Sequence, residues 1–259
     1  MSKLVRIDAN DGVAVVIVDN PPVNALSNEV VDALWETAKQ IAADESIRAV
    51  VLTGCGGKAF IAGADLSEFS QALGSVGWIE DHTLRTRRML DSWARIPQPL
   101  VGAVQASAVG GGLEVALVCD LLVADPAARF GLPEVRLGLM PGAGGTQRLP
   151  RRIGVGRAKE LLLLGGTIDA EEALRIGLVN RVAPPGDGLL LAAELAARLA
   201  ALSSVAVQAI KSSVGDANDD IAQGLDNERA LFMQVFASQD ATEGVSAFVQ
   251  NRVPAFDHR

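Results

Sequence analysis

The chain has 259 residues, a net charge of −8, 49% hydrophobic residues and 21% charged residues. This length fits one large domain or a domain with an appendage, and the composition supports a substantial core rather than a disordered chain. The negative charge argues against a general nucleic-acid-binding protein, although local cations or helix N-termini could still hold a phosphorylated small molecule. No apolar run approaches the roughly 20 residues that span a bilayer, and no signal-peptide core opens the sequence. We therefore expect no membrane partner and a cytoplasmic location.

The few cysteines and histidines give no pattern for a disulfide framework or a metal site. Cys55 and Cys119 lie in different contexts, His82 lies in a polar stretch and His258 lies in the tail. No histidine has a partner at metal-ligand spacing, and a Ser-His-Asp triad would have to recruit one of these two. The sequence thus predicts no metal, and solvated histidine side chains.

Short apolar strands alternate with helical segments through the first half of the chain. Ser27 or Asn28 can cap a helix, because apolar residues recur at helical spacing from Val30 to Ile41. This alternation predicts an α/β core with some parallel pairing. The predicted strands cover 4–8, 13–19, 49–53, 100–104 and 121–124, and further helices cover 79–96 and 115–118.

The pattern changes after residue 157, where helices leave little room for strands. The sequence therefore predicts a core over residues 1–200, followed by a helical C-terminal region over residues 201–259. Pro184-Pro185-Gly186 marks a loop within the fold rather than a domain boundary. The predicted helices cover 157–164, 169–176, 188–201, 204–214 and 218–237.

The glycines at 142–145 do not form a nucleotide-binding motif. A P-loop needs Gly-Lys-Ser/Thr, which is missing, and Gln147 stands where a dinucleotide fingerprint needs its third glycine. Alone, this segment predicts a tight turn.

Two glutamates occupy apolar, glycine-rich segments that predict burial. Glu114 follows the three glycines 110–112, and Glu134 ends the segment 130–134. A buried carboxylate is costly and its pKa tends to rise, so the two favour proton transfer near neutral pH. The glycines would let backbone N–H groups approach an oxyanion. The structural alternatives are a close helix–strand contact at the glycines, a helix N-terminal Glu114 and a loop ion pair at Glu134.

Taken together, these motifs resemble the enoyl-CoA hydratase/isomerase (crotonase) family over nearly the whole chain. The resemblance implies a ββα spiral core, followed by a helical C-terminal region used in trimerisation, with homotrimers or homohexamers of two trimers. The short-chain enoyl-CoA hydratases are the members it resembles most. The matching segments are 20–26, 58–65, 110–114, 119–120, 130–134, 139–149, 177–179 and 243–248.

The resemblance implies reversible syn hydration of trans-2-enoyl-CoA to 3-hydroxyacyl-CoA. The backbone N–H groups of Ala62 and Gly111 would form the oxyanion hole for the thioester carbonyl. Glu114 would assist the attack of water at C3, and Glu134 would exchange a proton at C2. No cofactor is expected, since coenzyme A is part of the substrate.

The same resemblance implies a larger set of substrate contacts. Ser67 stands where many hydratases carry a lysine, and Arg252 is the main cation in the C-terminal tail. These departures weaken the expectation of strong contacts with the CoA 3′-phosphate. The region 66–93 is expected to wall the acyl pocket, with Phe69, Leu73, Trp78, Ile79, Leu84 and Met89. The implied CoA contacts are Ala25, Leu26, Lys58, Ala62, Gly63, Ala64, Asp65, Leu66, Gly111, Gly142, Phe232, Phe248 and Arg252.

Two alternatives stay open at this level. A Δ3,Δ2-enoyl-CoA isomerase would need proton shuttling by Glu134 alone. The presence of Glu114 is therefore the main feature that distinguishes a hydratase from an isomerase. A non-catalytic or RNA-binding crotonase-fold protein is disfavoured by the charge of −8 and by the intact pair of glutamates.

Overall fold

The computed structural model describes residues 4–72, 74–215 and 221–259, and its largest element is a six-stranded mixed sheet. The first two strands form an antiparallel hairpin whose turn contains Asp11 and Gly12, both with positive φ. The other neighbours in this sheet are parallel. The strands, in spatial order, are β1 (Val5–Asn10), β2 (Val13–Val18), β3 (Ala49–Gly54), β5 (Leu100–Val104), β7 (Leu121–Ala124) and β10 (Arg181–Val182).

A second sheet of four short strands lies beside the first. Its first three strands are parallel and the last pair is antiparallel. Along the chain, each of these strands follows a strand of the large sheet or a helix. Their ends therefore bring together loops that are distant in sequence. The strands are β4 (Ala59–Ile61), β6 (Ser107–Val109), β8 (Arg129–Gly131) and β9 (Thr167–Asp169).

The helices cover the sheets and then continue alone to the C-terminus. The first begins at a capping serine, because the Ser27 side chain accepts a hydrogen bond from the N–H of Val30. A 3₁₀ helix covers Pro133–Leu137. The α-helices are α1 (Asn28–Ala43), α2 (Leu66–Gln71), α3 (Val76–Ala94), α4 (Gly111–Ala116), α5 (Gly145–Ile153), α6 (Val155–Leu164), α7 (Ala170–Arg175), α8 (Gly188–Ala200), α9 (Ser204–Gly215), α10 (Ile221–Phe236) and α11 (Gln239–Val249).

The central strands of the large sheet are buried on both faces, which is why they are almost entirely apolar. Along β3, Val50 and Leu52 belong to the main core, which also contains α1 and α3. Ala49 and Val51 face the opposite way, into a smaller core beneath α8. Alternate side chains of one strand therefore hold two helical layers in place.

The α/β core and the helical C-terminal region agree with the prediction. The five strands predicted from apolar runs are present within two residues of their expected ends. The strands β4, β6, β8, β9 and β10 were not predicted, because two or three residues are too short to show a period of two. Residues 218–220 of the predicted helix 218–237 lie outside the described residues, and the rest of that helix is present as α10.

The C-terminal helices are connected to the core by at least one ion pair. Lys211 of α9 places Nζ 2.8 Å from Asp120 Oδ2 and donates to the carbonyl oxygen of Gln98 at 2.8 Å.

The division of the chain at residue 200 stays a prediction. Within the described residues no single helix is long and apolar enough to cross a membrane; α8 and α9 pass that test only as a pair, which is bent by 110°.

Candidate active site

A cavity of about 710 Å³ lies where the loops after β4, β6 and β8 approach α3. It brings both glutamates into the same space as the glycines 110 and 111. Its walls are largely apolar, which is typical of a small-molecule site with a few polar groups. The lining residues are Leu26, Ala62, Gly63, Ala64, Leu66, Phe69, Ile79, His82, Thr83, Thr86, Val109, Gly110, Gly111, Glu114, Pro133, Glu134, Leu137, Gly138, Leu139, Met140, Gly142 and Ala143.

Glycines place α4 against the small sheet and so position Glu114. A Cβ on Gly112 would lie 1.8 Å from the carbonyl oxygen of Ile61, so only glycine permits this approach of helix to strand. Gly110, with a φ of 55°, is the N-cap residue immediately before the helix. Glu114, one turn into α4, is consequently held at the cavity wall.

The Glu114 carboxyl group is buried, with only 3% of the residue exposed. Its Oε1 accepts hydrogen bonds from the N–H groups of Ala143 and Gly145, both at 2.8 Å. Burial raises the pKa of Glu114, and the two N–H groups and Arg148 offset part of that rise. Because Oε1 is fixed by the backbone, Oε2 is the oxygen that remains for a ligand.

Glu134 comes from the 3₁₀ helix Pro133–Leu137, beside Gly110. Its Oε1 lies 3.4 Å from the position a Cβ on Gly110 would take. Its Oε2 is buried and has no hydrogen-bond partner among the described residues. Burial, with a further contribution from the charge of Glu114, raises the pKa of Glu134 to about 7. The two carboxyl groups therefore influence each other's protonation.

The hydrogen bonds correct the predicted pair of oxyanion donors. The N–H of Ala62 donates to the carbonyl oxygen of Val23 at 3.2 Å, so it is not free for a ligand. Ala64 instead forms a parallel bridge with Leu26, in which the bonds are made by Gly63 and Asp65 on either side of it. The N–H of Ala64 therefore points away from Leu26.

Ala64 and Gly111 present neighbouring free N–H groups. Neither N–H donates a hydrogen bond within the described residues. A Cβ built on Gly111 would lie 3.6 Å from the backbone nitrogen of Ala64, which shows how close the two segments are. Ala64 therefore replaces Ala62 as the candidate for the second donor.

The predicted CoA contacts divide into two groups. Leu26, Ala62, Gly63, Ala64, Leu66, Gly111 and Gly142 line the cavity, whereas Ala25, Lys58, Asp65, Phe232, Phe248 and Arg252 do not. Asp65 caps α2 by accepting from the N–H of Ser67 at 2.9 Å. Arg252 forms an ion pair with Glu243, with Nη2 2.7 Å from Oε2.

Only some of the residues predicted to wall the acyl pocket line the cavity. Phe69 and Ile79 line the cavity, but Met89 is buried in the main core and Leu84 is 44% exposed. Trp78 contacts the cavity wall indirectly, by stacking on His82. Leu73 lies outside the described residues. The apolar residues Leu137, Leu139 and Met140, which the sequence reasoning missed, also line the cavity, and their position shortly after Glu134 was the available signal.

The expectation that His82 is solvated is wrong. The residue is only 7% exposed, because its ring stacks on Trp78 at 4.9 Å and meets the edge of Phe69 at 5.0 Å. It lies on the cavity side of α3. The flanking charged residues, which suggested a solvent-facing stretch, occupy the other faces of the helix.

The fold and the site together define a crotonase-fold protein. The crystal structure of enoyl-CoA hydratase from Bacillus anthracis matches it with a TM-score of 0.95 and 36% identity, covering 99% of this chain and 100% of that one. Among curated proteins, the 2,3-dehydroadipyl-CoA hydratase of Escherichia coli strain K12 is 42% identical over 91% of both chains. The short-chain-enoyl-CoA hydratase of Clostridium acetobutylicum is 36% identical over 98% of both chains.

The family model described as enoyl-CoA hydratase/isomerase matches residues 8–259. The chain therefore belongs to the enoyl-CoA hydratase/isomerase family and is an enzyme whose family processes acyl-CoA thioesters.

Proposed function

We propose that the protein catalyses the reversible syn hydration of trans-2-enoyl-CoA esters to 3-hydroxyacyl-CoA. The observation that carries this proposal is one cavity in which Glu114 and Glu134 lie beside the free N–H groups of Ala64 and Gly111. The names of the similar enzymes, which are hydratases of enoyl-CoA esters, support it. The proposed reaction involves no cofactor, because the groups present can move protons and stabilise an oxyanion by themselves.

The two N–H groups would hold the thioester oxygen. Addition at C3 sends negative charge to this oxygen as an enolate forms, so donors that point there in advance stabilise the transition state more than the substrate. Removal of one such donor costs about 3–4 kcal/mol in measured oxyanion holes. The apolar walls strengthen this effect, since they keep the local dielectric low.

The glutamates would hold one water between them and move its protons. Oxygen of the water bonds to C3 while its proton passes to the carboxylate of Glu114, and C2 of the enolate takes a proton from Glu134. The net change is the addition of one water, and the pair regains its starting protonation by exchange with solvent. Glu134 suits the second role because its pKa of about 7 keeps a proton available near neutral pH. The N–H of Gly142, at the cavity wall, would help to orient the water.

The assembly and location belong to the same proposal. We expect a homotrimer or a homohexamer in the cytoplasm, with neither nucleic acid nor membrane as partner. Phe232, Phe248 and Arg252 lie outside the cavity of their own chain, so any role in CoA binding would be exercised at a neighbouring subunit's site.

Substitution of each glutamate by glutamine tests the chemistry while keeping side-chain size. Glu114→Gln and Glu134→Gln are each expected to lower kcat for crotonyl-CoA hydration by about 10²–10⁴-fold, the usual worth of a positioned acid or base. Binding of a saturated acyl-CoA, measured by calorimetry, is expected to persist. Glu36→Gln, at an exposed residue paired with Lys39, is the matched control. Near-normal turnover in both cavity variants would contradict the assignment.

The same variants separate hydration from Δ3,Δ2-isomerisation. Isomerisation needs one shuttling carboxyl group and no water, so it depends on Glu134 alone. If Glu114→Gln moves the double bond of a 3-enoyl-CoA at the wild-type rate, and the wild-type enzyme yields no 3-hydroxy product, the isomerase replaces the hydratase as the function.

A further inference from the structure

Three polar residues of α3, His82, Thr83 and Thr86, line the cavity and have no role in the proposed hydration. The Thr83 hydroxyl is bonded to the carbonyls of Ile79 and Glu80, which leaves His82 and Thr86 as the two to explain. His82 and Thr86 are one helical turn apart, so they lie on the same face of the helix. Both line the cavity and both are more than nine-tenths buried, with 7% and 5% of the residue exposed. Their neighbours in this wall, Phe69 and Ile79, are apolar.

The hydroxyl group of Thr86 lacks a partner. Its Oγ1 is buried and makes no hydrogen bond within the described residues. Threonine in a helix usually bonds back to a carbonyl of the preceding turn, and Thr83 and Thr37 do so, donating to Ile79 and Ala33 at 2.8 Å each. Burial of an unpaired hydroxyl is costly in the free enzyme. A ligand group that reaches Thr86 would remove that cost.

A hydrogen-bond chain sets which nitrogen of His82 is free. Glu68 Oε2 accepts from Asn28 Nδ2 at 2.8 Å, so the Asn28 oxygen faces the histidine, 3.3 Å from Nδ1. An oxygen there requires the proton on Nδ1, which leaves Nε2 as an acceptor without a partner in the described chain. The ring cannot turn easily, because it is stacked on Trp78 and abuts Phe69.

Charge excludes an anionic occupant of this place. No lysine or arginine is among the described residues that line the cavity, and the lining contains two carboxyl groups, Glu114 and Glu134. Burial, with the nearby charge of Arg85, lowers the pKa of His82, so the imidazole is neutral at pH 7. An unpaired carboxylate at this wall would lose its hydration without a counter-charge.

We propose that His82 and Thr86 form a subsite for an uncharged hydroxyl group on the acyl chain, remote from the reacting C2–C3 bond. The hydroxyl donates to His82 Nε2 and accepts from the Thr86 hydroxyl, so one group satisfies both side chains. The substrate class is then a 2-enoyl-CoA ester with a hydroxylated acyl chain. This inference rests on the proposed hydratase function and specifies its substrate.

The test compares three series of trans-2-enoyl-CoA esters at equal chain length: unsubstituted, hydroxylated at successive positions from C4 outward, and terminally carboxylated. We expect one hydroxylated position to raise kcat/KM about tenfold over the unsubstituted ester, the worth of roughly one net hydrogen bond. The carboxylated ester is expected to be the poorest of the three.

Variants assign the preference to the two side chains. Thr86→Val keeps the shape and removes the hydroxyl, and His82→Phe keeps an aromatic ring for Trp78 to stack on; each is expected to bring the hydroxylated-to-unsubstituted ratio close to one. Thr37→Val is the matched control, because the Thr37 hydroxyl is already bonded to the carbonyl of Ala33 and Thr37 does not line the cavity. It is expected to keep the wild-type ratio.

The outcomes separate the subsite from the reaction. Hydration of crotonyl-CoA with no preference at any hydroxyl position, or a preference that Thr86→Val retains, overturns the subsite and leaves the hydratase standing. A preference for the carboxylated ester also overturns it. Failure to hydrate every ester, crotonyl-CoA included, overturns the proposed function itself.

Discussion

Glu134 carries a carboxyl group whose surroundings favour its neutral form. Its pKa is about 7, against an ordinary value of 4.5, chiefly because of burial. The folded chain therefore binds this proton more tightly than the unfolded chain does. That contribution to stability is fully present below pH 4.5 and is lost as the pH rises through about 7. The Glu134→Gln variant has no group that titrates at this position. Its free energy of unfolding is therefore expected to fall less than that of the wild type as the pH rises from 4.5 through about 7. Urea unfolding at several pH values measures both, and parallel profiles would contradict the shifted pKa.

Thr86 provides a second test at the residue scale, independent of activity. Thr86→Val replaces a buried, unpaired hydroxyl with a methyl group of nearly equal size, and is expected to raise the free energy of unfolding by about 1 kcal/mol. Thr37→Val is the control, since it breaks a hydrogen bond to Ala33 and should lower stability. A loss of stability in Thr86→Val would mean that the hydroxyl has a partner in solution.

Sequence reasoning selected both glutamates, which line one cavity, but chose beside them a donor, Ala62, whose N–H is already bonded. Glu114 and Glu134 stand out because carboxylates are rare in apolar, glycine-rich segments. Which N–H of the loop 62–65 is free depends instead on its register against Val23 and Leu26. That register is a tertiary property, because a shift of one residue reverses the direction of each N–H. His82 was misplaced for the related reason that its burial depends on Trp78 and Phe69 folding over it.

At the scale of elements, the approach of α4 to β4 sets the site. Gly112→Ala would place Cβ 1.8 Å from the carbonyl oxygen of Ile61, so helix or strand must shift. We expect a loss of about 1–3 kcal/mol in stability, as for other overpacked sites, and lower activity because Glu114 and the N–H of Gly111 move with the helix. Gly156→Ala, in an open part of α6, is the control and should be neutral or stabilising. Thermal unfolding and crotonyl-CoA turnover together measure the effect; unchanged values for Gly112→Ala would show that this contact is not required.

Long elements were predictable from sequence and short ones were not. Helix α1 shows several turns of apolar spacing and a serine cap, and β3 is a continuous apolar run. The small sheet is built from three-residue strands whose pairing partners lie far apart in sequence. It is nevertheless this sheet that carries the loops of the cavity. The motifs of the family resemblance supplied residues that line the cavity, although local periodicity could not place the strands that hold them.

At the scale of the whole molecule, the C-terminal helices expose more apolar surface than an isolated chain usually tolerates. Phe232, Phe236 and Phe248 are 60%, 66% and 84% exposed, and Val249 beside them is 73% exposed. The rings of Phe232 and Phe236 contact each other on one face of α10, with their centroids 6.0 Å apart. Such a surface is stable in water when another subunit covers it, which supports the proposed trimer.

An aspartate in this surface tests the assembly and its link to the substrate. Phe248→Asp would bury a charge in the interface, so we expect it to shift the species measured by light scattering towards the single chain of 27.0 kDa. If a neighbouring subunit contributes to CoA binding, KM for crotonyl-CoA should rise as the assembly dissociates, while the kcat of the remaining assembled enzyme stays near that of the wild type. Val76→Asp, at an exposed residue that begins α3, is the control and should keep the wild-type mass. A wild-type enzyme that is monomeric and fully active would overturn the proposed assembly, because its own cavity would then suffice for CoA binding.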